Sequence, residues 1–487
     1  MLKDIEKELA RLEPQARQLE PSSELRKEYQ EKVIDYSNEF LDQIETLPAY
    51  IQTKEKGKGI RQFSITDEPA KLDDLIHAIQ SHIDIPGLNP ASGGHLGYIP
   101  GGGIFPSALA DYLGAVMNRY AGIFYASPGA VRLENMMIDW LKETFHFPSD
   151  TLGNLTTGGS LANLMGIVSG REGKGIRVGD IPTSVIYLSE QVHHSVDKAI
   201  RIAGLVECPV RYIDLDDEFR LDPNALEAAI DRDTSAGLKP FLIVASVGTT
   251  NTGAVDPIEE ISKISLKNNC WLHIDAAYGG FFALSNEGKI KVKDLHLADS
   301  LVVDPHKGLF LPYGLGVILV KNGEYLHKAH YYQASYLQDA ASLIDEPSPA
   351  DLSPELTKHF RGLRMWLPLK LFGLKPFIAA LDEKIWLCRY FYESIKNIER
   401  FEVGPYPELS VMIFRYIPRQ GDANEFNEKL LVEVVRDGRV FLSSTMIRNH
   451  FFIRLAVLSF RTHKSTIDLC LEILKQKVNT LESMSEK

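Results

Sequence analysis

Trp271-Leu-His-Ile-Asp-Ala-Ala-Tyr278 and, a helical interval later, Ser300-Leu-Val-Val-Asp-Pro-His-Lys307 decide how this chain is read. Each opens with a short apolar run and closes on charged side chains, as a buried strand does when its carboxyl end meets a polar site. The pattern repeats outward in both directions. Strands are expected at Ser184–Leu188, Phe241–Val247, Trp271–Ile274, Ser300–Val303 and Gly316–Val320, with helical stretches between them. From about residue 91 to 375 this alternation predicts an α/β architecture with a mostly parallel sheet flanked by helices. His193 and His194 follow the first strand, Thr249 and Thr250 the second, Asp275 the third, and His306 and Lys307 the fourth. Open α/β sheets gather their ligands at the carboxyl ends of strands.

Residues 1 to about 90 read as a helical arm. Leu2, Ile5, Leu9 and Leu12 recur at helical spacing, and the heptad pattern lapses around Pro14 and Pro21, so packing is expected rather than a sustained coiled coil. Residues 376–487 predict a small α+β domain, with strands at Val411–Tyr416 and Phe451–Val457 and helices around Asn424–Arg436 and Ser465–Leu481. At 487 residues the chain has room for two or three packed units. Its net charge of −12 and dispersed Lys and Arg leave no footprint for nucleic acid, so a small-molecule substrate is expected. Cys208, Cys270, Cys388 and Cys470 are isolated in sequence, which predicts neither a disulfide framework nor a zinc knuckle. No apolar run approaches the roughly 20 residues of a spanning helix, and a cytoplasmic protein is expected.

The chemistry follows from residue types. A lysine just past a buried strand can form a Schiff base with an aldehyde cofactor, and an aspartate similarly placed can hold a pyridinium nitrogen protonated. Lys307 and Asp275 therefore read as a pyridoxal phosphate site. Gly158, Gly159 and Ser160, at an apparent helix start, offer backbone N–H groups to the phosphate. His193 suits an imidazole stacked on the pyridine ring. Each residue also has an ordinary reading: a Ser helix cap, an Asp cap, a solvated lysine, a satisfied histidine. His193, His194, His273, Asp275 and His306 could instead be taken for metal ligands, but none shows a zinc-binding spacing, and no metal is expected. The order glycine turn, histidine, aspartate, His-Lys favours the cofactor reading over its separate alternatives.

The chain resembles the group II pyridoxal-dependent amino acid decarboxylases, and among them aromatic-L-amino-acid decarboxylase. The resemblance rests on Ala126-Ser-Pro-Gly-Ala-Val-Arg-Leu-Glu134, Thr157-Gly-Gly-Ser-Leu-Ala-Asn-Leu164, Gln191-Val-His-His-Ser-Val-Asp-Lys-Ala199, Gly248-Thr-Thr250, Trp271 to Gly280, Pro305-His-Lys307 and Arg361-Gly-Leu-Arg-Met-Trp366. It implies a fold-type-I, transferase-like α/β fold with a seven-stranded type of sheet, and a homodimer with active sites at the subunit interface. It implies decarboxylation of an L-amino acid to the amine and carbon dioxide. Lys307 would be the Schiff-base lysine, Asp275 the partner of the ring nitrogen, and His193 the stacking residue. Gly159, Ser160 and His306 would touch the phosphate. Thr250, Ala277 and Asp304, the last an asparagine in many relatives, would lie beside the cofactor.

Two departures bear on substrate and outcome. His95-Leu-Gly-Tyr-Ile-Pro-Gly-Gly-Gly103 puts Gly101 where aromatic decarboxylases have a substrate-contacting threonine. The loop after the lysine, which in those relatives carries a proton-donating tyrosine, aligns with Ser342 to Leu352 and has none there; Tyr336, close to Tyr331 and Tyr332, is the candidate donor. Aldehyde-forming oxidative decarboxylation, transamination or a lyase reaction are the alternatives this raises, and a non-catalytic binding protein is the alternative from another class. Phe105, Phe124 and Tyr125 could line an aromatic pocket, whereas Arg132, Arg361 or Arg364 could pair with an acidic side chain; aromatic amino acids are the expected substrates.

Overall fold

The computed structural model describes residues 1–331 and 346–485. Its centre is a seven-stranded sheet formed by β1 (Leu152–Thr156), β2 (Ser184–Ser189), β3 (Val210–Ile213), β4 (Lys239–Ser246), β5 (Trp271–Asp275), β6 (Ser300–Val303) and β7 (Gly316–Val320), in the order β1-β7-β6-β5-β4-β2-β3. The neighbours from β6 to β3 are parallel, and β7 is antiparallel to both β6 and β1. All the strands except β7 therefore run the same way, and the amino end of β7 lies at their carboxyl edge.

Period-two alternation divides the strand side chains between two cores. Val185, Tyr187, Ile243, Leu272, Leu301 and Val317 face one. Ile186, Leu188, Val244, Val302 and Ile318 face the other. A sheet covered on both faces explains why these strands read as continuous apolar runs. The strands β1 and β3 were not expected. Gly153 and Asn154 lower the β propensity of β1, and β3 is a short edge strand carrying Arg211.

A second sheet of β8 (Phe401–Val403), β9 (Val411–Tyr416), β10 (Ser443–Ile447) and β11 (His450–Ala456) is antiparallel throughout in the order β8-β9-β11-β10. Helices Ala423–Asp437 and Lys464–Ser485 belong to this part of the chain. The helix Lys375–Lys396 joins the two regions, burying Phe377, Leu381 and Ile385 in the main core and Cys388, Phe391 and Ile395 in the smaller one.

At the amino terminus lie helices Leu2–Ala16 and Ser23–Gln43, neither of which buries a residue within this chain. Pro14 does not end the first helix, which continues to Ala16. No described helix is long and apolar enough to cross a membrane. All four cysteines are free and buried, and burial pushes the thiols of Cys208 and Cys470 up to about 11 and about 12.

Candidate active site

Short loops at the carboxyl edge of the sheet bring the sequence-predicted residues together. Beyond β6, Pro305 starts a one-turn helix, Pro305–Gly308, where its fixed φ and missing N–H cost nothing. The Asp304 side chain does not cap that helix; it reaches Lys307, with Oδ2 3.1 Å from Nζ. Asp304 is buried, and its Oδ1 has no hydrogen-bond partner in the chain. His306 donates from Nδ1 to the Leu315 carbonyl at 2.6 Å, leaving Nε2 3.7 Å from Asp304. Burial holds the His306 imidazole below its usual pKa.

Beyond β5, Asp275 accepts the Ala277 N–H at Oδ1, 3.0 Å away, and an Asn163 amide N–H at Oδ2, 2.9 Å away. His193, past β2, accepts at Nδ1 from the Ser195 hydroxyl at 2.7 Å and from the Ser195 backbone N–H at 3.2 Å. Desolvation lowers the His193 pKa, against the opposing pull of Asp275. A neutral imidazole accepting at Nδ1 carries its proton on Nε2.

The fourth contribution comes from β1. Gly158 (φ +148°) precedes the 15-residue helix Gly159–Gly173, whose first turn points its N–H groups out of the helix end. Little room is left for side chains around this turn. A Cβ at Gly159 would lie 3.0 Å from Asp304 Oδ2 and 3.3 Å from the Ala277 Cβ. One at Gly316, the β7 residue paired with Thr156, would lie 2.5 Å from the Gly158 carbonyl carbon and 2.7 Å from Asp304 Oδ1.

Gly158, Gly159, Ser160, His193, Thr250, Asp275, Ala277, Asp304, His306 and Lys307 all line one cavity of about 330 Å³. Tyr336 lies outside the described residues. Asn163, Gln191, Ser195, Ser246 and Tyr278 also line the cavity and were not singled out from the sequence. Asn163 had a signal: it lies four residues after Gly159 in the same helix, hence on the same face one turn beyond the Gly158–Ser160 turn. Phe105, Phe124 and Tyr125 are not among the lining residues. Phe124 is buried beneath the Arg132 guanidinium, 5.0 Å from its ring. Among the described residues no group of three His, Cys, Asp or Glu side chains is arranged to hold a metal ion.

The donor set fits a phosphorylated pyridine aldehyde. It combines an amine beside a carboxylate, a second carboxylate fixed by two N–H donors, an imidazole on the cavity wall, and a glycine-lined helix amino terminus for a phosphate.

Comparison with known proteins agrees with this chemistry. Residues 56–417 match the model of the pyridoxal-dependent decarboxylase conserved domain. The chain is 33% identical to an aromatic-L-amino-acid decarboxylase of Bacillus atrophaeus, over 82% of this chain and 84% of that protein. It is 27% identical to a phenylacetaldehyde synthase of Arabidopsis thaliana, over 94% and 97% of the two chains. The crystal structure of Oryza sativa TDC with PLP and tryptamine has the same fold, with a TM-score of 0.89 at 23% identity over 95% of this chain and 99% of that one.

Proposed function

The chain belongs to the pyridoxal-dependent decarboxylase family, and from that premise we propose that it removes the carboxylate of an aromatic L-amino acid, releasing the amine and carbon dioxide. Pyridoxal phosphate, when bound, supplies the aldehyde that takes up the substrate amine and the ring that accepts the electrons of the broken Cα–C bond. The convergence of Lys307, Asp275, His193 and the Gly158–Ser160 turn on one cavity carries the proposal.

In this reading Lys307 would hold the cofactor through its aldehyde, and Asp304, 3.1 Å from the lysine amine, positions it. Asp275, its two oxygens fixed by Ala277 and Asn163, would accept the N–H of the ring nitrogen. His193 would cover the ring face and offer Nε2–H to the substrate carboxylate. Gly158, Gly159, Ser160 and His306 would hold the phosphate, with Thr250 and Ala277 beside the ring. Asp304 brings negative charge close to the cradle, and Lys307 is the cation paired with it.

An aromatic substrate is favoured because the arginines that might have bound an acidic side chain are already engaged. Arg132 pairs with Glu346, Arg361 with Glu355 and Arg364 with Asp111, at 2.8–3.0 Å. The similarity to phenylacetaldehyde synthases supports a second outcome, oxidative decarboxylation to the aldehyde. Tyr336 is the proposed proton donor on which that choice would turn.

The same reading makes the protein a cytoplasmic homodimer with interfacial active sites. Phe105, Leu109, Tyr112, Leu113 and Val116 of helix Phe105–Met117 form an exposed apolar face suited to a second copy. That reading also divides the chain into an arm (1–90), a cofactor-binding domain (91–375) and a small domain (376–487). The test is an assay of purified holoenzyme against L-tryptophan, L-tyrosine, L-phenylalanine and L-glutamate for carbon dioxide, amine, aldehyde and peroxide. Amine and carbon dioxide from an aromatic substrate are expected. Turnover of glutamate alone would refute the substrate class, and aldehyde with peroxide would refute the amine product.

A further inference from the structure

Behind Asp275 lies a buried hydrogen-bond chain that the decarboxylation reading does not itself require. Trp271 Nε1 donates to Ser300 Oγ at 2.8 Å, and Ser300 Oγ lies 2.7 Å from His273 Nδ1. His273 Nε2 lies 2.8 Å from Asn163 Oδ1. The Asn163 amide then donates twice, to Asp275 Oδ2 at 2.9 Å and to Ser195 Oγ at 3.0 Å, and Ser195 Oγ lies 2.7 Å from His193 Nδ1. Trp271, Ser300, His273, Asn163, Ser195 and Asp275 are all buried.

The direction of the chain is determined. A carboxylate only accepts, so Asn163 must turn its NH₂ toward Asp275 and its oxygen toward His273. His273 then donates from Nε2 and accepts the Ser300 hydroxyl at Nδ1. Burial supports that neutral ring, pushing the His273 pKa down to about 4. Ser195, receiving the second Asn163 N–H, is left to donate its hydroxyl proton to His193 Nδ1. Each donor and acceptor of the Asn163 amide is thus engaged, and reversing the amide would set its oxygen against the Asp275 carboxylate.

We propose that Asn163 is a positioning residue that couples Asp275 to His193, orienting the carboxylate toward the cofactor ring nitrogen and, through the Ser195 hydroxyl, reinforcing the Nε2–H tautomer of His193 that the Ser195 backbone N–H also favours. The carboxylate proposed for the ring nitrogen and the imidazole proposed for the ring face are then set by one side chain. His273, Ser300 and Trp271 are the outer braces that keep its amide from turning. The proposal rests on the reading that Asp275 and His193 face the cofactor.

The test uses holoenzyme labelled with ¹⁵N-histidine. The His193 ring-nitrogen shifts report its tautomer, and the circular dichroism of the bound cofactor's visible band reports ring orientation. Asn163→Leu is expected to move the His193 Nδ1 shift away from its doubly hydrogen-bonded value toward that of a ring held by the Ser195 backbone N–H alone, and to lose most of the induced dichroism. Ser195→Ala should reproduce the histidine change, and the double variant should move His193 no further than Asn163→Leu alone, the non-additivity of one chain. Asn163→Thr retains one donor at the same site and should give the same changes at smaller size; it decides the matter if the leucine variant does not fold. Lowered melting temperature with both spectra unchanged would overturn the proposal, leaving Asn163 merely structural. If Asp275→Asn and His193→Ala also leave the induced dichroism unchanged, the placement of those two residues at the ring fails instead.

Discussion

Gly316→Ala perturbs the proposed phosphate cradle without substituting any residue proposed to touch the cofactor. The new methyl would sit 2.5–2.6 Å from the Gly158 backbone and 2.7 Å from Asp304 Oδ1. Ordinary carbon contacts need about 3.5–4.0 Å, so β7 and the Gly158 turn must separate by about 1 Å. Neither is free to yield, because the neighbour is backbone and β7 is hydrogen-bonded on both sides. Overpacking of this kind costs about 1–3 kcal/mol. If that strain appears in the bound state, cofactor affinity weakens by roughly 5- to 150-fold. The added methyl also presses on Asp304, which lies 3.1 Å from Lys307, so the dissociation constant rather than kcat is the readout. Titrating the cofactor-free protein with pyridoxal phosphate, followed by tryptophan fluorescence, measures the dissociation constant. Gly179→Ala, with nothing within 4 Å of the added atom, is the control. A Gly316→Ala dissociation constant equal to the control's would refute both the crowding argument and the assignment of the turn as phosphate cradle.

Asp275→Asn should retain bound cofactor and lower kcat by on the order of 10²-fold or more, since a neutral amide no longer holds the ring nitrogen protonated; steady-state assays at saturating cofactor check it, and an undiminished rate would make Asp275 structural. Lys358 pairs with Glu134 at 2.7 Å with both side chains fully buried, and Lys358→Met should destabilise the fold by about 3–5 kcal/mol in urea unfolding. A loss below about 1 kcal/mol would show that the pair is not desolvated as the geometry indicates. His95 and His273 are buried, with pKa values pushed down to about 4 from the ordinary 6.5. Their neutral forms therefore contribute stability that is full above pH 6.5 and is lost as pH falls toward 4, by up to roughly 1.4 kcal/mol per pH unit for each group. Urea unfolding at pH 7, 6, 5 and 4.5 should show that decline, and a flat profile would contradict it.

The parts of the fold legible in the sequence were those where burial leaves a one-dimensional trace. The strands β4 to β7 are covered on both faces, so Phe241 to Ser246 or Ser300 to Val303 read as strands unaided. By contrast β1 owes its place to tertiary bonds, with Asn154 donating to the Pro349 carbonyl and accepting from Lys358. Neither partner is visible from residue 154. In the same way, charged ends of apolar strands exposed Asp275 and Lys307, whereas Asn163 is an ordinary polar residue in a helix until Asp275, more than 100 positions later, folds against it. The arginines show the converse. From sequence Arg132, Arg361 and Arg364 were free to receive an acidic substrate, and only the folded chain brings Glu346, Glu355 and Asp111 to them.

The most direct measurement is the visible absorbance spectrum of purified protein before and after borohydride, followed by peptide mapping. A chromophore that borohydride bleaches, with the reduced cofactor mass on the peptide containing Lys307, is the predicted result. Protein that stays colourless with added pyridoxal phosphate, or a label fixed on any other lysine, would contradict the account.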